Sequence, residues 1–120
     1  SIESATWISL TRMATLAHGV LRTMTVAHLR TYTINKGMLD SWLETFPKLI
    51  PVMAEAGIKV ESSWVNEERT QFIWIRSYGD DATNIVTAEA KFYGSEYWLA
   101  NVDHVRSHLS HREIVQIETA

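Results

Sequence analysis

His28, Arg30 and Tyr32 occupy every second position of one extended stretch, and Trp74, Arg76 and Tyr78 do the same along another. Alternate side chains of a β-strand share a face. If the two stretches lie side by side in a sheet, all six residues converge on one surface. His28 could then act as a general base near neutral pH, and the Arg30 or Arg76 guanidinium could hold an anionic oxygen. Trp and Tyr rings stack on planar substrates. An apolar pocket with a few convergent polar groups is the usual form of a small-molecule site. The catalytic expectation is therefore His28, Arg30, Tyr32 and Arg76, with Trp64, Trp74 and Tyr78 contacting substrate. The competing expectation is a subunit interface, where Trp, Tyr and Arg are also enriched. Composition favours the interface, and both hold where a pocket opens at the edge of one.

Other candidates are weaker. His104, His108 and His111 fall at i, i+4 and i+7, and the first pair has acceptable metal-ligand spacing. No carboxylate lies inside that run, although Asp103 and Glu113 flank it, and basic groups near a helix C-terminus are favoured by the helix dipole anyway. A structural role is expected for them, and no metal or cofactor. Glu67, Glu68 and Arg69 read as a solvated turn, as does Asp80-Asp81, and Tyr93, Tyr97 and Trp98 as packing residues. No Gly-rich phosphate loop, nucleophile elbow or HExxH motif occurs, so nucleotide hydrolysis and the standard hydrolases have no support.

The elements that must position these residues follow from pattern. Val26 to Thr33 is rich in β-branched and large residues and ends at an Asn35-Gly37 turn, so it is a strand. Leu39, Trp42, Leu43, Phe46, Ile50 and Met53 recur at helical spacing between Met38 and Ala56. Pro47 and Pro51 inside that helix predict a kink or a break into two, and Gly57 suits its C-terminal cap. Strands over Ile58–Val65 and Gln71–Tyr78 flank a polar turn and form an antiparallel hairpin. Helical pattern then covers Ala82–Tyr93 and, after a break at Gly94-Ser95, Glu96–Leu109, with Asp81 as a capping candidate. A last strand covers Glu113–Glu118. The order β-α-β-β-α-β is the ferredoxin-like arrangement of an α+β domain.

The 120 residues suffice for one domain, with 46% apolar and 21% charged residues as in a folded protein. A net charge of −3 without a basic run argues against nucleic acid as a partner. There is no cysteine, which excludes disulfides, thiolate nucleophiles and zinc–thiolate sites. No apolar run approaches the roughly 20 residues of a membrane span, so a soluble protein is expected, without a membrane partner. Residues 1–23 stand apart, rich in Ser, Thr and Ala, with a short amphipathic helix expected over Ile8 to Leu21. They read as an extension upstream of a start at Met24, or else as an organelle-targeting peptide. The domain proper is thus expected over 24–120, in the cytoplasm, or in the mitochondrion if the first 23 residues are a targeting segment.

Two helical segments cover only one face of a four-stranded sheet, yet the strands carry apolar groups on both. The simplest assignment sets Ala27, Leu29, Ile73 and Ile75 beneath the helices. It leaves Val26, His28, Arg30, Tyr32, Phe72, Trp74 and Tyr78 on the open face. So large an apolar patch is one that monomers avoid. Packing against the same face of a second copy buries it with two-fold symmetry, so a homodimer is expected. A helix from residues 1–23 over that face is the less favoured solution.

The stretch Leu29-Arg30-Thr31-Tyr32-Thr33-Ile34-Asn35-Lys36-Gly37 resembles the opening of the NIPSNAP family, an Arg-x-Tyr strand ending in a Gly turn. Gly57, Trp64 and Phe72-Ile73-Trp74-Ile75-Arg76-Ser77-Tyr78 resemble its second and third strands. Phe92-Tyr93, Ser95 and Trp98 resemble its late helical motif. The similarity spans about Val26 to Glu118 and leaves the N-terminal extension unexplained. It implies the dimeric α/β barrel, in which two ferredoxin-like sheets pack together. That superfamily includes small monooxygenases, isomerases, dehydratases and binding proteins, and fold does not choose among them. The resemblance implies a cofactor-independent enzyme of oxygenase, isomerase or cyclase type acting on a small hydrophobic or aromatic metabolite. The alternative is a non-catalytic dimeric binding or interaction module.

Overall fold

The computed structural model describes residues 13–15 and 21–120, with side chains from position 24 onward. Strands β1 (Met13–Thr15) and β2 (Leu21–Thr23) pair antiparallel. The helix expected over Ile8 to Leu21 is thus replaced by a hairpin at both of its described portions, and the rest of that segment lies outside the described residues. The chain continues through β3 (Val26–Ile34), α1 (Leu39–Glu55), β4 (Lys59–Val65), β5 (Gln71–Ser77), α2 (Thr83–Tyr93), α3 (Glu96–Arg106) and β6 (Leu109–Glu118). The last four strands lie in the order β4-β5-β3-β6, all antiparallel. This is the ferredoxin-like α+β sandwich, with β3 and β5 central and adjacent. Among the described residues, no helix is long and apolar enough to cross a membrane.

Local chemistry explains the boundaries. Gly57, with φ of +91°, adopts the left-handed conformation that ends α1. Asn66 Oδ1 accepts from the backbone N–H groups of Thr70 and Gln71 at 2.9 Å each, closing the β4–β5 hairpin. Ser95 caps α3 by accepting from Trp98 N at 3.3 Å while donating to Phe92 O at 2.6 Å. Asp81 Oδ1 accepts from Thr83 N at 2.9 Å at the start of α2.

Helix α1 runs unbroken through Pro47 and Pro51, where a kink or break was the sequence expectation. Both prolines are exposed. The carbonyls they leave unpaired, those of Leu43 and Pro47, lie on the solvent side, where water can satisfy them. Trp42, Thr45, Phe46, Leu49 and Met53 form the buried stripe, while Leu43 and Ile50 flank it. Strand β6 begins at Leu109 rather than Glu113, so His111 belongs to the sheet.

The two faces of the sheet are reversed from expectation. Tyr32, Phe72 and Trp74 pack against α1: Phe46 lies 4.7 Å from Phe72 and 4.9 Å from Trp74 between ring centroids, and Trp42 lies 5.9 Å from Tyr32. His28, Arg30 and Arg76 share this face and are also buried. Leu29, Thr31, Ile73 and Ile75 lie on the opposite, open face and are only half-buried. Trp64 (61% exposed) and Val115 (54% exposed) join them there, opposite Ile73 and Leu29 respectively. Volume decides the orientation. Large rings fill the gap between sheet and helices, and each contributes about 1.5–3 kcal/mol when fully buried. The open face interleaves its aliphatic groups with Gln71 and Thr31, which tolerate partial contact with water, and with Ser77, which is buried and donates to Glu61 Oε1 at 2.6 Å.

Candidate functional site

Strands β3 and β5 pair with His28 opposite Arg76 and Arg30 opposite Trp74. This register, with the pleat, brings six of the seven expected site residues together beneath the helices. Trp64 is the exception, on the far face of the sheet. The gathered groups form a hydrogen-bonded chain. Arg76 Nε donates to Tyr78 Oη at 2.6 Å, and Tyr78 Oη lies 2.9 Å from His28 Nδ1. The tyrosine oxygen already accepts from Arg76 and still has a proton to give, so Tyr78 can donate to Nδ1 in the tautomer of neutral His28 whose hydrogen sits on Nε2. Burial first, and then the charges of Arg30 and Arg76, push the His28 pKa below 6.5, against an opposing pull from Glu89. Burial also raises the Tyr78 phenol above its ordinary value although Arg76 opposes it, so the phenol keeps its proton.

A buried guanidinium needs a counter-charge. Glu89 on α2 supplies it, with Oε2 3.2 Å from Arg76 Nη2 and 3.9 Å from Arg30 Nη2. Arg76 Nη2 also donates to Tyr93 Oη at 3.1 Å, and Arg30 Nη1 to Tyr32 Oη at 2.8 Å. Both guanidinium carbons lie near the Trp74 ring, 5.8 Å from its centroid for Arg30 and 5.6 Å for Arg76. Glu89 and Tyr93 were not among the sequence candidates. A signal for Glu89 existed: two arginines on strands otherwise filled with apolar groups require an acid from another element.

Beside this network a cleft opens between the sheet and the helices. Tyr32, Trp74 and Arg76 wall it from the strands, Trp42 and Phe46 from α1, and Tyr93 and Trp98 from α2 and α3. Arg106 and Arg112, both exposed, stand on its rim. Tyr32 and Arg76 are thus the expected catalytic residues that reach the cleft. Arg30 and His28 lie behind them, Arg30 bonded to Tyr32 and His28 linked through Tyr78 to Arg76. The arrangement can donate hydrogen bonds to a developing negative oxygen and exclude water from it.

Of the C-terminal histidines, His104 and His108 lie edge to face with ring centroids 4.9 Å apart, but the three do not form a ligand set. His108 is fully buried, its Nδ1 facing the carbonyls of His104 (2.9 Å) and Val105 (3.2 Å) and its Nε2 facing Ser41 Oγ at 2.7 Å. Both nitrogens are engaged, so it ties α3 to α1. His104 is exposed, and His111 lies 3.5 Å from Glu113 on β6. Among the described residues no cluster of three or more His, Cys, Asp or Glu could hold a metal ion.

Fold and cleft together define a ferredoxin-like α+β sandwich with its pocket between sheet and helices. No family sequence model matches the chain, and no curated protein does. Among solved structures it is similar to a NIPSNAP domain protein from Burkholderia xenovorans, at 18% identity and a TM-score of 0.70 over 79% of this chain and 94% of that one. A NIPSNAP family protein of unknown function from Agrobacterium tumefaciens superposes with a TM-score of 0.72, at 14% identity over 80% of this chain and 88% of the other. SnoaB from Streptomyces nogalater, a cofactor-independent oxygenase, superposes with a TM-score of 0.62, at 15% identity over 80% and 92% of the two chains. At these identities the likeness is one of fold, and the NIPSNAP resemblance in the sequence meets structures that carry the same family name.

Proposed function

We propose that this chain is a NIPSNAP-like homodimeric protein that binds a small hydrophobic or aromatic metabolite in the cleft and acts on it as a cofactor-independent enzyme. The observation that carries the reading is the pair Tyr32 and Arg76 on the wall of an aromatic cleft, each locked from behind by buried partners. Oxygenase, isomerase and cyclase reactions without a cofactor share one need, the stabilisation of a carbanion as its enolate or phenolate oxygen. Preorganised donors in a water-poor site meet that need. The description of SnoaB as a cofactor-independent oxygenase on the same fold supports this reaction class. Tyr32 and Arg76 are the catalytic residues in this reading, Trp74 contacts the ligand, and His28, Arg30 and Tyr78 position the catalytic pair.

Leu29, Ile73, Ile75, Trp64 and Val115 supply a self-complementary apolar face for the two-fold partner, whose sheet would complete an α/β barrel. The domain proper is read as 24–120: Thr25 and Thr119 close the β3–β6 ladder through Thr119 N to Thr25 O at 3.0 Å and Thr25 N to Thr119 Oγ1 at 3.1 Å.

Aromatic ketones and phenols, screened by thermal shift and by substrate consumption, test the reading. At least one compound is expected to raise Tm and to be consumed, and Tyr32→Phe, which keeps the packed ring, should slow turnover about a hundredfold. A panel in which nothing binds and nothing is consumed overturns it. Binding without consumption would instead favour the non-catalytic binding module. The position of His28 behind Tyr78, away from the cleft, is the observation on that side.

A further inference from the structure

Two of the side chains that wall the cleft carry N–H groups with no hydrogen-bond partner among the described residues, the indole Nε1 atoms of Trp42 and Trp74. These residues are 1% and 2% exposed. A buried donor left unpaired costs about 1–3 kcal/mol, and two of them on one small cleft need a reason. Hydrophobic packing explains the rings but not the indole nitrogens.

The other polar groups of the wall point the same way. They are the Tyr32 and Tyr93 hydroxyls, which accept from Arg30 and Arg76 respectively and so keep their own protons to donate, and the Arg76, Arg106 and Arg112 guanidinium groups. No described wall residue is Asp, Glu, Asn or Gln. Glu89 lies behind the wall and is already shared between Arg76 and Arg30. It therefore offsets one of the two inner charges, and the exposed Arg106 and Arg112 colour the rim. Arg106 rests over the Trp98 ring at 5.7 Å, which holds its charge beside the entrance. The enclosed part of the cleft, about 30 Å³, has room for about two waters, so only a small head group fits without the helices moving.

From this donor-only wall we infer that the cleft selects an acceptor-only, negatively charged ligand: a carboxylate, or a comparably acidic oxygen, on a single apolar ring. The inference rests on the small-molecule reading above and narrows it to anions. Arg76 would meet the oxygens first, and the indole N–H groups, closed to solvent in the unliganded cleft, would join once their rings shift to open them, while the ring rests in the open outer part of the cleft and the rim arginines meet the incoming charge.

Benzoate, benzyl alcohol and benzylammonium share one ring and differ in charge, so they separate the terms. Binding is read by isothermal titration and by the indole N–H resonances in a ¹⁵N-labelled protein, with Trp64 on the opposite face as the internal control. Benzoate is expected to bind about tenfold or more tighter than either companion and to shift the Trp42 and Trp74 resonances but not that of Trp64. Trp74→Phe, and separately the rim change Arg112→Met, should each weaken benzoate more than benzyl alcohol. The rim variant serves even if the core variant does not fold. Equal binding of all three overturns the anion claim while leaving the small-molecule reading intact. Binding of none overturns the claim as well, and the broader reading is then decided by the ketone and phenol panel alone.

Discussion

At the scale of single residues, His28 is a group whose proton affinity the fold lowers. Its ring lies edge-on to Tyr78, with centroids 4.8 Å apart, and its Nδ1 lies 2.9 Å from the Tyr78 hydroxyl. Protonation would add a third positive charge beside Arg30 and Arg76. The folded pKa is therefore below the unfolded value of 6.5. Between the two values the unfolded chain binds the extra proton and the folded chain does not. The stabilising contribution of neutral His28 is thus fully present above pH 6.5 and drains away as pH falls toward the folded value. His28→Gln, which retains an acceptor but cannot titrate, should flatten the acid side of the stability profile by up to roughly 1 kcal/mol per pH unit. Urea unfolding of both proteins across the acid range measures the difference, and parallel profiles would refute the neutral-histidine assignment. The membership of this cluster was readable from period-two alternation alone. Its counter-ion was not, because Glu89 lies 13 residues from Arg76 and 59 from Arg30 along the chain, on an element whose rotation only packing decides.

Among the elements, α3 is the one on which the cleft's geometry depends, since it carries Trp98 and Arg106 to the entrance. Its start is fixed by Ser95, whose hydroxyl joins the end of α2 to the first turn of α3. Replacing it by alanine removes both bonds at once and should cost about 1 kcal/mol of stability. The same Ser95→Ala change should weaken ligand binding beyond what a distant surface change would do, because the entrance loses its brace. Denaturant unfolding and ligand titration of the one variant check the two effects, and unchanged stability would show that the cap is idle. The neighbouring Gly94 explains why the break occurs here: a Cβ at that position would meet Ala90 O at 2.9 Å. Element order, the Gly94-Ser95 break and the Gly57 cap could all be read from local residues, because each has a local cause. The faces of the sheet could not, because alternation says which side chains travel together and not which set the helices cover. A signal was present in side-chain size. Thr31, Thr33 and Ser77 on the open face are too small to fill a helix–sheet gap, whereas Tyr32, Phe72 and Trp74 are not. The buried arginines hid it, since guanidinium groups argue for water until their acid is found.

For the whole molecule, the reversed faces change the surface that two copies would share while leaving the argument for sharing it. All described helices pack on the aromatic face, so no described helix covers the aliphatic face of the sheet, and a second copy is the cover proposed for it. Trp64 and Val115 are more than half exposed in one protomer, and both flank half-buried isoleucine or leucine side chains. Sedimentation at micromolar concentration should therefore give a dimer. Val115→Asp places a charge on the edge strand β6 of this face without touching the protomer's core, because Val115 is 54% exposed before association. The variant is expected to sediment as a monomer with unchanged circular dichroism, and its tryptophan emission should shift to the red as Trp64 meets water. This surface is separated from the cleft by the thickness of the sheet, so the monomeric variant should still bind the ligand that the dimer binds. If the wild-type protein is itself a monomer at that concentration, the barrel is wrong. The cleft would survive it, since every side chain that walls it comes from a single chain.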